Sequence, residues 1–219
     1  MKKILFKSFQ DILSPHVIFF AIKMGFLASL LTLLVSWALW DTLSHMITAY
    51  LTWIPWEWLQ TTGASLANLL LSYMLFITIL SLVTSMFSEK LLLALAKKHY
   101  PHIEAIGSPK IATSLFLTLK SSVTFLALFI LTLPLFFIPL LGQILPLYLW
   151  SILLKEPTTY DVGSLFINDQ NTLEKKKQKT TLLAMIASLF NYVPIVNIFA
   201  PVLGQILFLH HILQEEKER

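Results

Sequence analysis

The sequence predicts an all-α integral membrane protein: two long transmembrane helices, two half-penetrating (re-entrant) helical hairpins and an amphipathic N-terminal helix, all in one membrane domain over residues 1–219. Hydrophobic residues make up 56% of the chain and charged ones 13%, a balance that a water-facing globular surface does not tolerate. Charge is also missing in long blocks. No Lys, Arg, Asp or Glu lies between Glu57 and Glu89, between Lys120 and Lys155, or between Lys179 and Glu215, and only Lys23 interrupts the stretch from Asp11 to Asp41. Blocks of that length match what a hydrocarbon core about 30 Å thick demands. Finally, all 16 Lys and Arg residues fall in the N-terminal segment with Lys23, in 88–120, in 155–179 or in the C-terminal tail. By the positive-inside rule these segments share the cytoplasmic face.

Within residues 1–13, Leu5, Phe6, Phe9, Ile12 and Leu13 fall on one helical face, with Lys2, Lys3, Lys7 and Asp11 mostly elsewhere, which predicts a helix lying on the membrane surface. Ser14-Pro15 is a helix start, because serine can cap free amides and proline at the first helical position gives up a donor that has no partner there. The first transmembrane helix is expected over 14–40. Val17 to Trp40 is longer than a secretory apolar core and lacks a clear small-residue cleavage site, so it is expected to stay as an uncleaved anchor. A connection over 42–60 has no Lys or Arg, and Trp53, Trp56 and Trp58 there join Trp37 and Trp40 at one interface. The second transmembrane helix is expected over 66–87.

A polar connection over 88–110, with breakers Pro101, Gly107 and Pro109, leads to the first hairpin, 111–154, broken by Pro134, Pro139, Gly142 and Pro146. A second polar segment, 155–179, holds Asp161, Asp169 and the run Lys175, Lys176, Lys177 and Lys179. The second hairpin, 180–213, is broken by Pro194 and Pro201. Pro139-Leu-Leu-Gly-Gln-Ile-Leu145 matches Pro201-Val-Leu-Gly-Gln-Ile-Leu207 at every position but the second, so the two blocks are expected to turn alike. Arms of about 21 and 18 Å in the later block are too short to cross. In the earlier block, 111–133 could reach roughly 34 Å if continuous. Two crossings followed by two hairpins that enter and leave on the cytoplasmic face fit the basic-residue map, and their irregular tips must be sheltered by protein or line a wet cavity.

Several residues are candidates for anion chemistry. Ser14, His16 and Val17, at the first helix start, could hold an anion through backbone amides and a protonatable imidazole; ordinary capping is the competing reading. Lys23 either snorkels to the interface or lines an anion route, and Lys120 has the same two readings. Gln143, Asn191, Asn197 and Gln205 lie near the hairpin breaks, where neutral amides either tie helices together or form a polar passage. The lysine run reads as a topology signal or as a contact for acidic lipid headgroups. His99 with His102, and His210 with His211, are not strong metal spacings, so a surface or interface location and no metal are expected. With no cysteine, thiolate sites and disulfides are excluded. No phosphate loop, zinc-protease helix or nucleophile elbow occurs, no acid lies in the apolar blocks, and no enzyme, cofactor or nucleic-acid partner is expected.

The order of elements, with Tyr192-Val-Pro-Ile-Val-Asn-Ile-Phe-Ala-Pro201 followed by Val202-Leu-Gly, resembles the CysZ-type sulfate permease and etoposide-induced protein 2.4 family over most of the chain. The resemblance implies sulfate passage through an inner-membrane oligomer, with an anion site near a Gly-Leu-Arg stretch at the start of the first long helix. Here that stretch is Ser14-Pro-His-Val-Ile-Phe-Phe20, and the only arginine is Arg219; a guanidinium fork suits a tetrahedral oxyanion better than imidazole does. The expectation is a homo-oligomeric permease for a small inorganic anion, with sulfate as the candidate. It would sit as a multi-pass protein in lipid of the bacterial inner membrane, with both termini cytoplasmic. The alternative is a non-transporting membrane scaffold or assembly protein of the same fold.

Overall fold

A computed structural model describes residues 2–52, 55–132, 135, 138–178 and 180–217; at 50, 51, 59, 170, 175, 178 and 215–217 it describes the backbone alone. Trp53, Pro134, Lys179 and Arg219 therefore lie outside the described residues. The described elements are helical: α1 (Lys2–Ile12), α2 (Pro15–Leu51), α3 (Glu57–Phe87), α4 (Glu89–His99), α5 (Ile111–Thr132), α6 (Leu141–Phe166), α7 (Gln170–Gln178), α8 (Thr180–Ser188) and α9 (Ala200–Lys217). Two 3₁₀ turns, Leu189–Tyr192 and Val196–Phe199, join α8 to α9. Four helical segments are long and apolar enough to cross a membrane: Pro15–Ala49, Gln60–Phe87, Ile111–Thr132 and Val196–Gln214.

The first two helices are longer than the expected 14–40 and 66–87. α2 has 37 residues and α3 has 31, about 55 and 46 Å at 1.5 Å per residue. No proline interrupts the chain from 16 to 54, so Asp41 to Leu51 simply extends the helix, and the tryptophan-rich connection shrinks to the few residues around Pro55. Trp37, Trp40, Trp56 and Trp58 are exposed there, while Trp150 is buried. The polar connections also hold structure, because α4 lies within 88–110 and α7 within 155–179.

α2 and α3 pack through Met24, Ala28, Leu80 and Val83. Their far ends are joined where Asn68 Nδ2 donates to Ser44 Oγ at 3.0 Å. α3 also packs on α5 and α6 through Met74, Ile77, Phe125, Phe129, Leu149 and Leu153. α9 is the inner helix. Of its apolar window 83% is buried, against 33% for α2 and for α3 and 28% for α5, so protein rather than lipid surrounds it. Its Leu203, Ile206, Leu207 and Leu209 meet Val17, Leu92, Val162 and Leu183 in the main core.

α1 uses a different face from the one its apolar residues suggest. Ile4, Ser8, Asp11 and Ile12 are buried against the bundle, while Phe6, Phe9 and Leu13 stay exposed. Spacings of four, seven and eight put the buried set on one stripe of the helix.

Both breaks in the apolar blocks use a proline followed by a residue with positive φ. Leu140 after Pro139 has φ 68° and ψ −50°, and Ile195 after Pro194 has φ 74° and ψ −48°. These are strained γ-turn values, and at Leu140 the Leu141 amide closes that turn on the Pro139 carbonyl at 2.9 Å. The two copies of the repeat open the returning arms, one in the first turns of α6 and the other in the first turns of α9. At the second tip, a Cβ on Gly25 would lie 2.9 Å from Cγ2 of Ile198. Any side chain at residue 25 would push Ile198 aside, so glycine lets the tip seat closely against α2, about 15 Å along that helix. The arms differ in length: α5 alone reaches about 33 Å, whereas α8, at nine residues, reaches about 14 Å.

Candidate functional site

Three polar groups come together inside the bundle, and the second break supplies two of them. Tyr73 Oη, on α3, donates to the Asn191 backbone oxygen at 2.6 Å. It also accepts from Asn197 Nδ2 at 3.3 Å. Both asparagines are buried, and Asn191 Oδ1 has no hydrogen-bond partner among the described residues. The neighbouring Tyr192 donates its hydroxyl to the Gln143 backbone carbonyl and sets its ring edge-on to Trp150 at 5.0 Å, which joins the tips of the two broken blocks. Neutral donors at a helix break, within a low-dielectric surround, can contact an oxyanion without a fixed countercharge.

A second polar group lies at the lysine-rich end, where α3 stops and α5 starts. Asp161 of α6 is 1% exposed. Its Oδ2 accepts from Ser85 Oγ and, at 3.4 Å, from Gln205 Nε2. Ser114 Oγ stands 2.8 Å from Ser85 Oγ. Burial pushes the Asp161 carboxyl up to about 6, although hydrogen bonds from Ser85, Ser114 and Gln205 pull the other way. Asp161 Oδ1 and Gln205 Oε1 have no hydrogen-bond partner among the described residues.

The third group joins the two ends of the chain. Asp11 of α1 is wholly buried and accepts from Lys98 Nζ at 2.8 Å. Its carboxylate oxygens also lie 2.9 Å from His99 Nε2 and 2.9 Å from His210 Nε2. Burial would raise this carboxyl, but hydrogen bonds from His210, Lys98 and His99 outweigh it and hold the group well below its ordinary value. Tyr100 Oη is 3.0 Å from His210 Nδ1, and burial together with the Asp11 charge pushes the phenol up to about 12.

A scan against family models matches residues 4–201 to the family described as Sulfate transporter CysZ/Etoposide-induced protein 2.4. The chain belongs to this family. The match covers nearly all of the 219 residues, and with four helices of membrane-spanning length and composition it makes the protein a multi-pass membrane transporter by family. No curated protein matches the chain, and no solved structure matches it.

Within this CysZ-family chain the expected site residues do not meet at one point. At the start of α2, Ser14 takes the N-cap position in extended conformation, but its hydroxyl makes no capping bond. Its carbonyl accepts from the Ile18 amide at 3.0 Å. Val17 is wholly buried, whereas His16 and Lys23 are exposed on the outer face of α2. Asn191 and Asn197 do converge, on Tyr73; Gln205 joins Asp161; Gln143 is exposed and takes part through its carbonyl. Lys120 pairs with Glu156 at 3.4 Å, and Lys177 pairs with the same carboxylate at 3.2 Å. Lys176 is buried and donates to the Ile212 carbonyl at 3.0 Å, so part of the lysine run anchors the end of α9.

Two groups depart from the sequence reading. Asp161 was expected on a polar surface segment, but α6 continues through Pro157 to Phe166 and buries it. Val162, Leu165 and Phe166 beside it were the available signal. His99 and His210 were expected at a surface or interface and instead flank the buried Asp11. The clue was a carboxylate at Asp11 in register with Ile4, Ser8 and Ile12 on α1.

Proposed function

We propose that this CysZ-family protein is a permease for a small inorganic anion, with sulfate the first substrate to test. The observation that carries the reading is the Tyr73–Asn191–Asn197 group at the break of the second block, with both asparagines buried. It offers neutral amide and hydroxyl dipoles at a helix break, and Ile198, next to Asn197, touches α2 at Gly25, about 15 Å along that helix. The Asp161 carboxylate is bonded to Ser85, twelve residues along α3 from Tyr73, or about 18 Å away along the helix axis. That separation weakens its repulsion of an anion at the neutral group. In this reading α2 and α3 cross the bilayer, while 111–154 and 180–213 enter and return on the cytoplasmic face of a bacterial inner membrane. The shortness of α8 and the seating of Ile198 on Gly25 support it.

His16 and Lys23 face outward, seven residues apart and two turns along one face of α2. With the partly exposed Ser14 they would bind an anion where a second copy covers that face, Val17 staying in the core behind them, so a homo-oligomer embedded in lipid is part of the proposal.

Purified protein in proteoliposomes should take up sulfate faster than protein-free vesicles. Asn197→Leu should slow uptake about tenfold or more, since a hydrogen bond to a charged group contributes about 1.5–3 kcal/mol. Uptake equal to that of empty vesicles would sink the reading. It would also favour a scaffold or assembly role, for which the outward placement of His16 and Lys23 is the supporting observation; a stoichiometric co-purifying partner would then be expected. The membrane arrangement has its own check. A single cysteine at Glu174, which is exposed, should be labelled from the cytoplasmic face and one at Trp56 from the other. Labelling of both from one face would overturn the two-crossing topology.

A further inference from the structure

Asp11, His99 and His210 come from α1, α4 and α9, yet they aim ligand atoms at one point. Those atoms all lie within 4.8 Å of one another. The Asp11 and His210 side chains are fully buried, and the His99 side chain is 16% exposed. His99 lies on the wall of a cavity of about 700 Å³ that Tyr100, His102, Glu104 and Phe166 also line.

We propose that Asp11, His99 and His210 form a binding site for a divalent transition-metal ion, zinc above all, with its fourth position open to that cavity. Two imidazoles and one carboxylate make a donor set that suits zinc, and three protein ligands plus an open position is the geometry of an accessible zinc site. Metal–ligand bonds of about 2.0–2.1 Å in a tetrahedron hold ligand atoms about 3.3 Å apart. Asp11 Oδ1 lies 2.9 Å from His99 Nε2 and Oδ2 lies 2.9 Å from His210 Nε2, so the carboxylate faces one imidazole with each oxygen, and ligand atoms now within 4.8 Å of one another close by up to about 1.5 Å around an ion. Calcium and magnesium are disfavoured, because they take six or more oxygen ligands and the cluster supplies one carboxylate.

Two neighbours complete the site. Tyr100 Oη lies 3.0 Å from His210 Nδ1. A metal on Nε2 leaves the imidazole proton on Nδ1, where it donates to that oxygen and fixes the ring, the usual outer partner of a metal-bound histidine. Lys98 Nζ, 2.8 Å from Asp11 Oδ1, is the competing cation, but its side chain is 56% exposed and can turn into water. The bound ion clamps the first helix to the last and to α4, so the packing of the N-terminal helix becomes metal-dependent.

The test uses the full untagged chain in detergent, stripped with a chelator, returned to chelator-free buffer and titrated with zinc chloride by calorimetry. One zinc per chain is expected, with a rise in unfolding temperature that magnesium chloride does not produce. His99→Gln, at the open edge of the site, should weaken binding at least tenfold. Tyr100→Phe should weaken it about 10–100-fold. His45→Gln, which removes an exposed histidine on α2, and Lys98→Met should bind zinc at least as well as the parent chain. Absence of stoichiometric zinc on the parent chain, or equal binding by His99→Gln and His45→Gln, overturns the proposal. Should His99→Gln fail to fold, cobalt(II) on the parent chain decides: an intense tetrahedral visible band supports the site, and a weak octahedral one overturns it.

Discussion

Replacing Asp11 by alanine should destabilise the metal-free protein by on the order of 3 kcal/mol and free α1 from the bundle. The carboxylate is wholly buried and takes bonds from two histidines and a lysine. Hydrogen bonds to a charged group are each worth about 1.5–3 kcal/mol, and a buried donor left without its acceptor adds a desolvation cost. The lysine contributes little of this, because Lys98 is 56% exposed and water screens its charge. Lys98→Met should therefore cost less than about 1 kcal/mol. Denaturant unfolding in micelles with excess chelator reads the difference without interference from bound metal. Equal midpoints for Asp11→Ala and Lys98→Met would show that the histidine bonds add nothing.

The second large effect lies at Asp161. Its carboxyl has an ordinary value of 3.8 and is raised to about 6 in the folded protein, burial being the main cause. The folded state thus holds its proton more tightly than the unfolded chain does. Stability from this group is at its highest below about pH 4, falls as the pH rises towards 6, and stays low above that. A difference of about two units corresponds to about 3 kcal/mol. Asp161→Asn keeps the size and polarity of the side chain but cannot ionise. It should lose that pH dependence and be more stable than the parent chain by about 3 kcal/mol near neutral pH. Unfolding measured at about pH 4 and about pH 7 checks this, and an identical change with pH in both proteins would refute it. The cost of burying this carboxylate explains why three other helices supply its surroundings: Ser85 from α3, Ser114 from α5 and Gln205 from α9.

The uncharged blocks, the interfacial tryptophans and the helix start at Ser14-Pro15 established a helical membrane protein; of the breakers read in the apolar blocks, Pro139 and Pro194 precede the turns, whereas Gly142 and Pro146 lie inside α6. Tyr192 to Gly204 carried the family. Hydropathy over a window of residues is a local signal that acts wherever the rest of the chain goes, whereas a proline's effect depends on its packing, since α6 runs through Pro146 and Pro157. Helix ends between the breakers were less legible, because nothing in residues 41–51 forbids helix and only packing along α3 shows how far α2 continues. The polar sites were the least legible. Asp11 and His210 are separated by 199 positions and meet only because one stripe of α1 lies on α9. Asp161 is buried only because α6 runs on past Pro157 into the angle between α3, α5 and α9. Which faces of distant helices touch depends on the packing of the whole bundle, and that was for the tertiary structure to decide.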